Sequence, residues 1–360
     1  MNVKKRLCLH NTVCSILLIQ LGDIGDVVLT LPCIRALREN YPEANIQVAV
    51  REKAEGLIRG CHWANGVVPI SKGKMGLLGS IQHQVGFIKE LRSHHFDLAI
   101  DLRTGTRGAF MAFLTGARER ISFRAHDEPF WRNWLFTTLI DHPYRPGQHV
   151  ADYLLDILAV FDIVPSSNIP EYVISAERLN EAKVILQKEG VSCKQAIIAI
   201  QPFSLWSYKE LPEETMVALI KKIQLNHPVD IILMGAPAER EKSECLDKLL
   251  DNKIYNLVGK TSISVLPALL KCCSFFIGID SAGLHIAAAV GTRTAAIFGP
   301  SSPESWAPKG KDHLVIQSEL SCVPCREKGC NDSEISKCLR MLNHESIYQT
   351  IKEKIAKFSL

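Results

Sequence analysis

Three places in the chain put residues able to do acid–base or phosphate chemistry beside glycines and helix-start signals. The first is Asp280-Ser281-Ala282-Gly283-Leu284-His285. It follows the short apolar run 275–279, and residues 284–290 read as a compact helix stopped by Gly291. A helix start there offers free N–H groups and the positive end of a helix dipole to a phosphate. Taken singly, Asp280 or Ser281 could only cap that helix, with His285 on a packed face. The second place is Gly22-Asp23-Ile24-Gly25-Asp26, where Asp26 opens a helix. A carboxylate in that position caps the first turn or accepts a proton from a bound hydroxyl, and the two roles are compatible. The third is Lys209, in the loop Pro202–Pro212. Alone it reads as a solvated lysine; next to a phosphate site it is a countercharge.

Strands must carry these loops. Residues 15–20, a loop, a helix from 26 to about 40 and a strand at 46–50 make a Rossmann-like start. The loop lacks G-x-G-x-x-G, so no dinucleotide fingerprint is present, and Gly259-Lys260-Thr261 is no Walker A motif because Ile254 stands where that motif needs glycine. Strands are also expected at 67–70, 96–101 and 118–123, with a loop at 72–80 and helices at 107–116 and 149–161. Residues 165–170, rich in Pro and Ser, read as a linker. Beyond it, strands at 195–201, 229–234, 254–258, 275–279 and 294–298 alternate with helices, so a second parallel sheet is expected. A terminal helix is expected over 344–358.

A chain of 360 residues exceeds one ordinary core, and two domains of about 150–180 residues are expected. The net charge of +4 does not call for nucleic acid. Locally the charge is uneven: Arg103, Arg107, Arg118, Arg120, Arg124 and Arg132 fall close together, either as a solvated face or as a dock for an anionic partner. No window holds the roughly 20 apolar residues of a bilayer span. Lys4-Lys5-Arg6 precedes an apolar stretch as in a secretory signal, but that stretch runs into the Gly/Asp loop without a small-residue cleavage site. Residues 1–13 are therefore read as an N-terminal extension and the protein as cytoplasmic. Of the 12 cysteines, Cys322, Cys325, Cys330 and Cys338 cluster late in the chain. Four thiolates suit a structural zinc; reduced or disulfide-linked structural cysteines are the equal alternative, and an iron–sulfur cluster a third.

Taken together, residues 24–32 (Ile-Gly-Asp-Val-Val-Leu-Thr-Leu-Pro), the strand–loop–lysine segment 199–212, and Asp-Ser-x-x-x-His-Ile-Ala-Ala-Ala followed by Phe-Gly-x-x-x-Pro in 277–308 resemble the lipopolysaccharide heptosyltransferases, glycosyltransferase family 9. The Asp-Ser-Ala form and the Trp306-Ala307-Pro308 tail are most similar to the heptosyltransferase III branch, while Phe203, Leu211 and Gly283 depart from the family pattern.

The resemblance implies a GT-B architecture, two Rossmann-like α/β domains with parallel sheets facing a central cleft. Residues 14–168 would bind acceptor. Residues 169–340, with the cysteine cluster, would bind the nucleotide sugar, and 341–360 would pack back toward the hinge. It implies an inverting transfer of heptose from ADP-heptose to the inner core of lipopolysaccharide, without catalytic metal or cofactor, at the cytoplasmic membrane face. Asp26 would be the general base and Lys209 the leaving-group cation. Ser204, Glu239, Gly259, Asp280, Ser281, Ala282, Gly283 and His285 would contact donor. Gly25, Arg103, Arg107 and Arg120 would contact acceptor. The alternatives are another GT-B nucleotide-sugar enzyme, with a different sugar or as an epimerase, and an inactive nucleotide-sugar-binding protein.

Overall fold

In a computed structural model, residues 13–71, 77–192, 194–251 and 254–357 are described, the side chains of 77–84 excepted. The expected extension over 1–13 lies outside them except for Val13, and so does most of the expected loop at 72–80; its end belongs to the helix Leu77–Ser93.

The chain forms two compact units, one running through Pro170 and the other starting at Glu171. The first holds β1 (Ser15–Gln20), β2 (Asn45–Arg51), β3 (Gly66–Ile70), β4 (Leu98–Asp101), β5 (Glu119–Phe123) and β6 (Thr138–Ile140). They form one sheet in the order β3-β2-β1-β4-β5-β6, and each neighbouring pair is parallel. The second unit holds β7 (Ala196–Gln201), β8 (Val229–Leu233), β9 (Tyr255–Asn256), β10 (Phe275–Ile279), β11 (Arg293–Phe298) and β12 (His313–Gln317). Their order is β12-β11-β10-β7-β8-β9, again parallel at every pairing. Read from its own first strand, each unit has the doubly wound order 3-2-1-4-5-6.

The central strands are continuous apolar runs because helices cover both faces of a parallel sheet. Every residue of β1, SILLIQ, and of β10, FFIGI, is buried. In the first unit Leu17, Ile19 and Ala99 pack with Ala109 and Phe136. In the second, Ile198, Ile200, Phe275 and Ile277 pack with Met216 and Leu219 and with Ile347, Ile351 and Ile355 of the helix His344–Ala356. That helix lies against the helix Glu213–Asn226 of the same unit, where Lys222 and Glu345 pair at 2.9 Å.

The helix expected from Asp26 to Asn40 is two helices, Ile24–Leu29 and Leu31–Asn40, broken at Thr30. Pro32 explains the break, since it has no N–H to continue the first helix and suits the first turn of a new one. The strands β6 and β12 carry no strong period in the sequence and were not expected. Both lie at sheet edges, where one partner is enough.

One buried ion pair ties the first unit together at the carboxyl end of β4. Asp101 and Arg132 are almost fully buried, and their charged ends lie 3.5 Å apart. Arg132 also donates to the Phe123 carbonyl at 2.7 Å, to Ser122 Oγ at 2.6 Å and to the Arg103 carbonyl at 2.8 Å. Arg132 is therefore no member of an acceptor-facing arginine cluster. Burial raises the Asp101 carboxyl to about 7, against the Arg103 N–H bond and the charges of Arg132 and Arg103, and burial also lowers Arg132. A raised carboxyl binds protons in the folded state that the unfolded chain has released, so its contribution to stability falls as pH rises from about 4 to about 7. Arg132→Met strands the carboxylate. It is expected to cost about 3–5 kcal/mol at pH 8 and clearly less at pH 5, read from urea midpoints.

Candidate active site

In an open parallel sheet, ligands bind beyond the carboxyl ends of the strands, where the strand order reverses. The reversal falls between β1 and β4 in the first unit and between β7 and β10 in the second. In both, a carboxylate meets a cation there.

In the first unit, β1 runs into Leu21–Asp23 and then the helix Ile24–Leu29. Asp23 sits at the helix cap, Gly25 lies in its first turn, and Asp26 is in that turn too. Asp26 Oδ2 accepts the Asp23 N–H at 2.8 Å and the Arg103 guanidinium at 3.1 Å. Among the described residues its Oδ1 accepts no bond, and the side chain keeps 19% of its exposure, which leaves one oxygen open to a proton donor. Gly22 is required by closeness: a Cβ there would come within 2.2 Å of Asp26 Oδ2 and 2.7 Å of Arg103 Nη1. Arg103 follows β4, and its backbone is held on both sides. Its N–H donates to Asp101 Oδ1 at 3.1 Å, and its carbonyl accepts from Arg132.

Two cations not expected from the sequence join this end. Arg51, the last residue of β2, and Lys53, two residues on, reach Asp23 at 3.2 Å and 2.6 Å. Burial opposes the Asp23 charge, but the Lys53 bond and the charges of Lys53, Arg51 and Arg103 outweigh it, and its pKa is lowered. Their signal was only their place at a strand end. Arg107 opens the helix Thr106–Leu114 and donates to the Ser71 carbonyl at 3.1 Å. Arg120 does not join these groups. It lies near the start of β5, and its guanidinium is taken up by the carbonyls of Leu135 at 2.8 Å and Ala117 at 2.7 Å.

In the second unit the polarity is reversed: the lysine follows the first strand and the aspartate the fourth. Lys209 ends the turn Ser207–Lys209 beyond β7, and its Nζ lies 2.6 Å from Asp280 Oδ2 at the end of β10. His285 Nε2 lies 3.9 Å from Asp280 Oδ1. Burial works against the charge on Asp280, which is only 6% exposed. Lys209 and His285, with hydrogen bonds from Lys209 and Ser301, nevertheless hold its carboxyl below the usual range.

The helix runs Ala282–Ala289, two residues earlier than the apolar period suggested, so Ala282 and Gly283 form its first turn and Ser281 its cap. Gly283 makes room for Gln201, whose Oε1 would lie 1.9 Å from a Cβ. The Ser281 hydroxyl is buried and has no hydrogen-bond partner among the described residues, although a buried polar atom ordinarily finds one. An orphan hydroxyl at a helix N-terminus suits an anionic ligand.

The remaining expected donor contacts sit at neighbouring strand ends. Ser204 donates its N–H to Glu210 at 3.0 Å, and Glu210 pairs with Lys242 at 3.1 Å, which fixes the loop that carries Lys209. Glu239 accepts the Ala236 N–H at 2.7 Å after β8. Burial chiefly raises its pKa, with the Glu210 charge adding to the rise; the Ala236 N–H and Lys242 oppose it. Gly259, after β9, has φ +69°, and a Cβ there would lie 2.9 Å from Pro237 Cα, so only glycine lets these two turns meet.

The four late cysteines are free thiols. They are close enough for Cys322, Cys325 and Cys330 to add to the burial that raises Cys338. Yet among the described residues no three or more His, Cys, Asp or Glu side chains are arranged to hold a metal. The cluster as it stands does not fit a zinc site.

Two doubly wound units, each with charged groups gathered at its switch point, are the architecture of the GT-B class. The profile of glycosyltransferase family 9 (heptosyltransferase) matches residues 85–335, and the chain belongs to that family. Over 292 residues it is 28% identical to lipopolysaccharide heptosyltransferase 3 of Escherichia coli, covering 79% of this chain and 83% of that one. This agrees with the expected branch. The solved family 9 glycosyltransferase of Veillonella parvula superposes with TM-score 0.82 at 18% identity, over 97% of this chain and 99% of that one. The E. coli ADP-heptose lps heptosyltransferase II does so with TM-score 0.78 at 18% identity, over 95% and 99%.

The Asp280 pair has a pH signature. A lowered carboxyl stabilises above its unfolded value, and that stabilisation is lost as acid titrates it. Asp280→Asn is expected to be less stable by on the order of 3 kcal/mol at pH 7. The gap from the unaltered protein should close as pH falls below about 4 in chemical denaturation.

Proposed function

We propose that the protein is an inverting, metal-independent heptosyltransferase that moves heptose from ADP-heptose to the inner core of lipopolysaccharide. The observation that carries this reading is that each unit has a switch-point site, with a carboxylate that keeps an open oxygen in the first and a cation at an anion-suited helix start in the second. The family assignment and the similarity to E. coli lipopolysaccharide heptosyltransferase 3 support the substrate class.

Asp26 takes the proton of an acceptor hydroxyl. That oxygen forms a bond to the anomeric carbon of the donor heptose as the bond from that carbon to the diphosphate breaks. ADP departs with the electron pair, and the configuration inverts. Arg103 orients Asp26 and, with Arg51, Lys53 and Arg107, draws in the phosphate and carboxylate groups of the acceptor. The diphosphate sits at the N–H groups of Ala282–Ala289 beside the Ser281 hydroxyl, and Lys209 neutralises the charge that grows on it. Asp280 aims Lys209 and His285 rather than touching phosphate. Glu239 and Gly259 border the ribose and base. A lysine and a helix dipole supply the positive charge that a divalent ion would bring to a leaving diphosphate.

An acceptor anchored in a membrane asks for a surface that tolerates the interface. Phe110, Phe130 and Trp134 are exposed; Phe110 packs on Trp131 at 4.9 Å and Phe130 on Trp134 at 5.0 Å. Phe110 shares its helix with Arg107, and aromatic rings beside a cation suit the headgroup layer of an anionic membrane. Among the described residues no helix is long and apolar enough to cross a membrane, so such contact would be peripheral.

With ADP-heptose and heptose-deficient core as substrates, Asp26→Asn is expected to lower kcat by about 10²–10⁴-fold with donor KM little changed. Transfer should persist in EDTA; its loss would overturn the leaving-group assignment. Phe130→Ser with Trp134→Ser should abolish sedimentation with phosphatidylglycerol vesicles, and no sedimentation of the unaltered protein would remove the membrane reading.

A further inference from the structure

The cysteine-rich segment is the one sequence motif that the proposed reaction leaves unused. It touches the backbone beside both members of the Lys209–Asp280 pair. Ser336, 5% exposed, donates its hydroxyl to the Tyr208 carbonyl at 2.6 Å, one residue before Lys209. Ser207 in the same turn donates to Glu334 at 3.1 Å. On the other side the Arg326 N–H donates to the Pro300 carbonyl at 2.8 Å. Pro300 precedes Ser301, which hydrogen-bonds Asp280.

The segment is itself built to hold these groups in place. It winds around Cys330, whose N–H donates to the Ile335 carbonyl at 2.8 Å and whose sulfur accepts the Lys337 N–H at 3.4 Å. Gly329, at φ +91°, allows the turn, since a Cβ there would lie 2.5 Å from the Ile335 nitrogen. The following helix Lys337–Arg340 roots the segment in the core through Cys338 and Leu339. Leu339 packs on Gly299 so closely that a Cβ at residue 299 would be 2.7 Å from Leu339 Cδ1.

We propose that residues 322–339 are a brace that sets the positions of Lys209 and Asp280, and that Ser336 is a positioning residue for Lys209. Its hydroxyl would more cheaply cap its own short helix; it is spent instead on the carbonyl of a turn more than a hundred residues away in sequence. The cysteines then serve the donor site by shaping the segment that presents Ser336 and Arg326. This inference rests on the reading of Lys209 as a diphosphate contact.

Calorimetric titration of ADP into the full-length protein tests it. Ser336→Ala frees the Tyr208 carbonyl and lets the Lys209 turn drift. Binding is expected to weaken by about 5–10-fold, the factor that one lost hydrogen bond represents. Ser336→Thr keeps the hydroxyl and should restore most of it. Ile347→Val, in the core of the same unit, lowers stability without touching the brace, and its ADP affinity should match that of the unaltered protein. If Ser336→Ala binds ADP as tightly as the unaltered protein, the brace is wrong. If Ile347→Val weakens binding as much as Ser336→Ala does, the effect is one of stability and the brace is again wrong. If the unaltered protein binds no ADP, the donor-site reading falls first, a result distinct from either.

Discussion

The constraint on which the rest of the structure depends is electrostatic and sits at the point where each sheet reverses its order. A parallel sheet covered on both faces has a dry interior, and only its carboxyl edge can carry charge without a large desolvation cost. Both units place one carboxylate and one cation at that edge, on the loops after the first and fourth strands. The loops can carry them because the strands beneath are apolar through their middles and buried on both faces, which fixes where they end. Asp26–Arg103 and Asp280–Lys209 are thus equivalent in place and opposite in chain order.

Each pair is held by a deeper layer that is less forgiving than the pair itself. In the first unit that layer is Asp101–Arg132, which clasps the backbone of Arg103 from both sides. Burial drives both of its charges toward neutrality, so this layer gives geometry at an energetic cost, as buried ion pairs often do. In the second unit the layer is neutral, made of the Ser336 and Arg326 contacts to loop carbonyls. The two units have reached similar edges with different supports.

Much of this was legible in the sequence because it is written in short, local patterns. Short apolar runs located ten of the twelve strands, and the same runs put Asp26, Lys209 and Asp280 on loops at strand ends. What stayed hidden depends on distance in the chain. Nothing local distinguishes Arg132, fully buried, from Arg103, half exposed; only the fold brings the Arg132 guanidinium against Asp101 and the Arg103 guanidinium against Asp26. Arg120 looked like its neighbours because its nearness in sequence concealed that it lies near the opposite end of its strand. Arg51 and Lys53 were missed because the end of β2 carries no motif, and Ser336 because a serine between cysteines gives no sign that its partner is Tyr208.

Two aspartates, one in each pair, raise the question of which one can act as a base, and the geometry separates them. A base must expose a lone pair to the substrate and exchange its proton with solvent between turnovers. Asp280 fails on both counts. It is 6% exposed, one oxygen is held at 2.6 Å by Lys209, the other faces His285, and its pKa is driven down, which makes it a weak proton acceptor. Asp26 meets both. Its two hydrogen bonds converge on a single oxygen, the other is open among the described residues, and the side chain reaches solvent. The same carboxylate–cation device therefore does different work according to its burial. Where it is sealed it fixes a lysine, and where it is open it leaves a carboxylate oriented with one oxygen unpaired among the described residues.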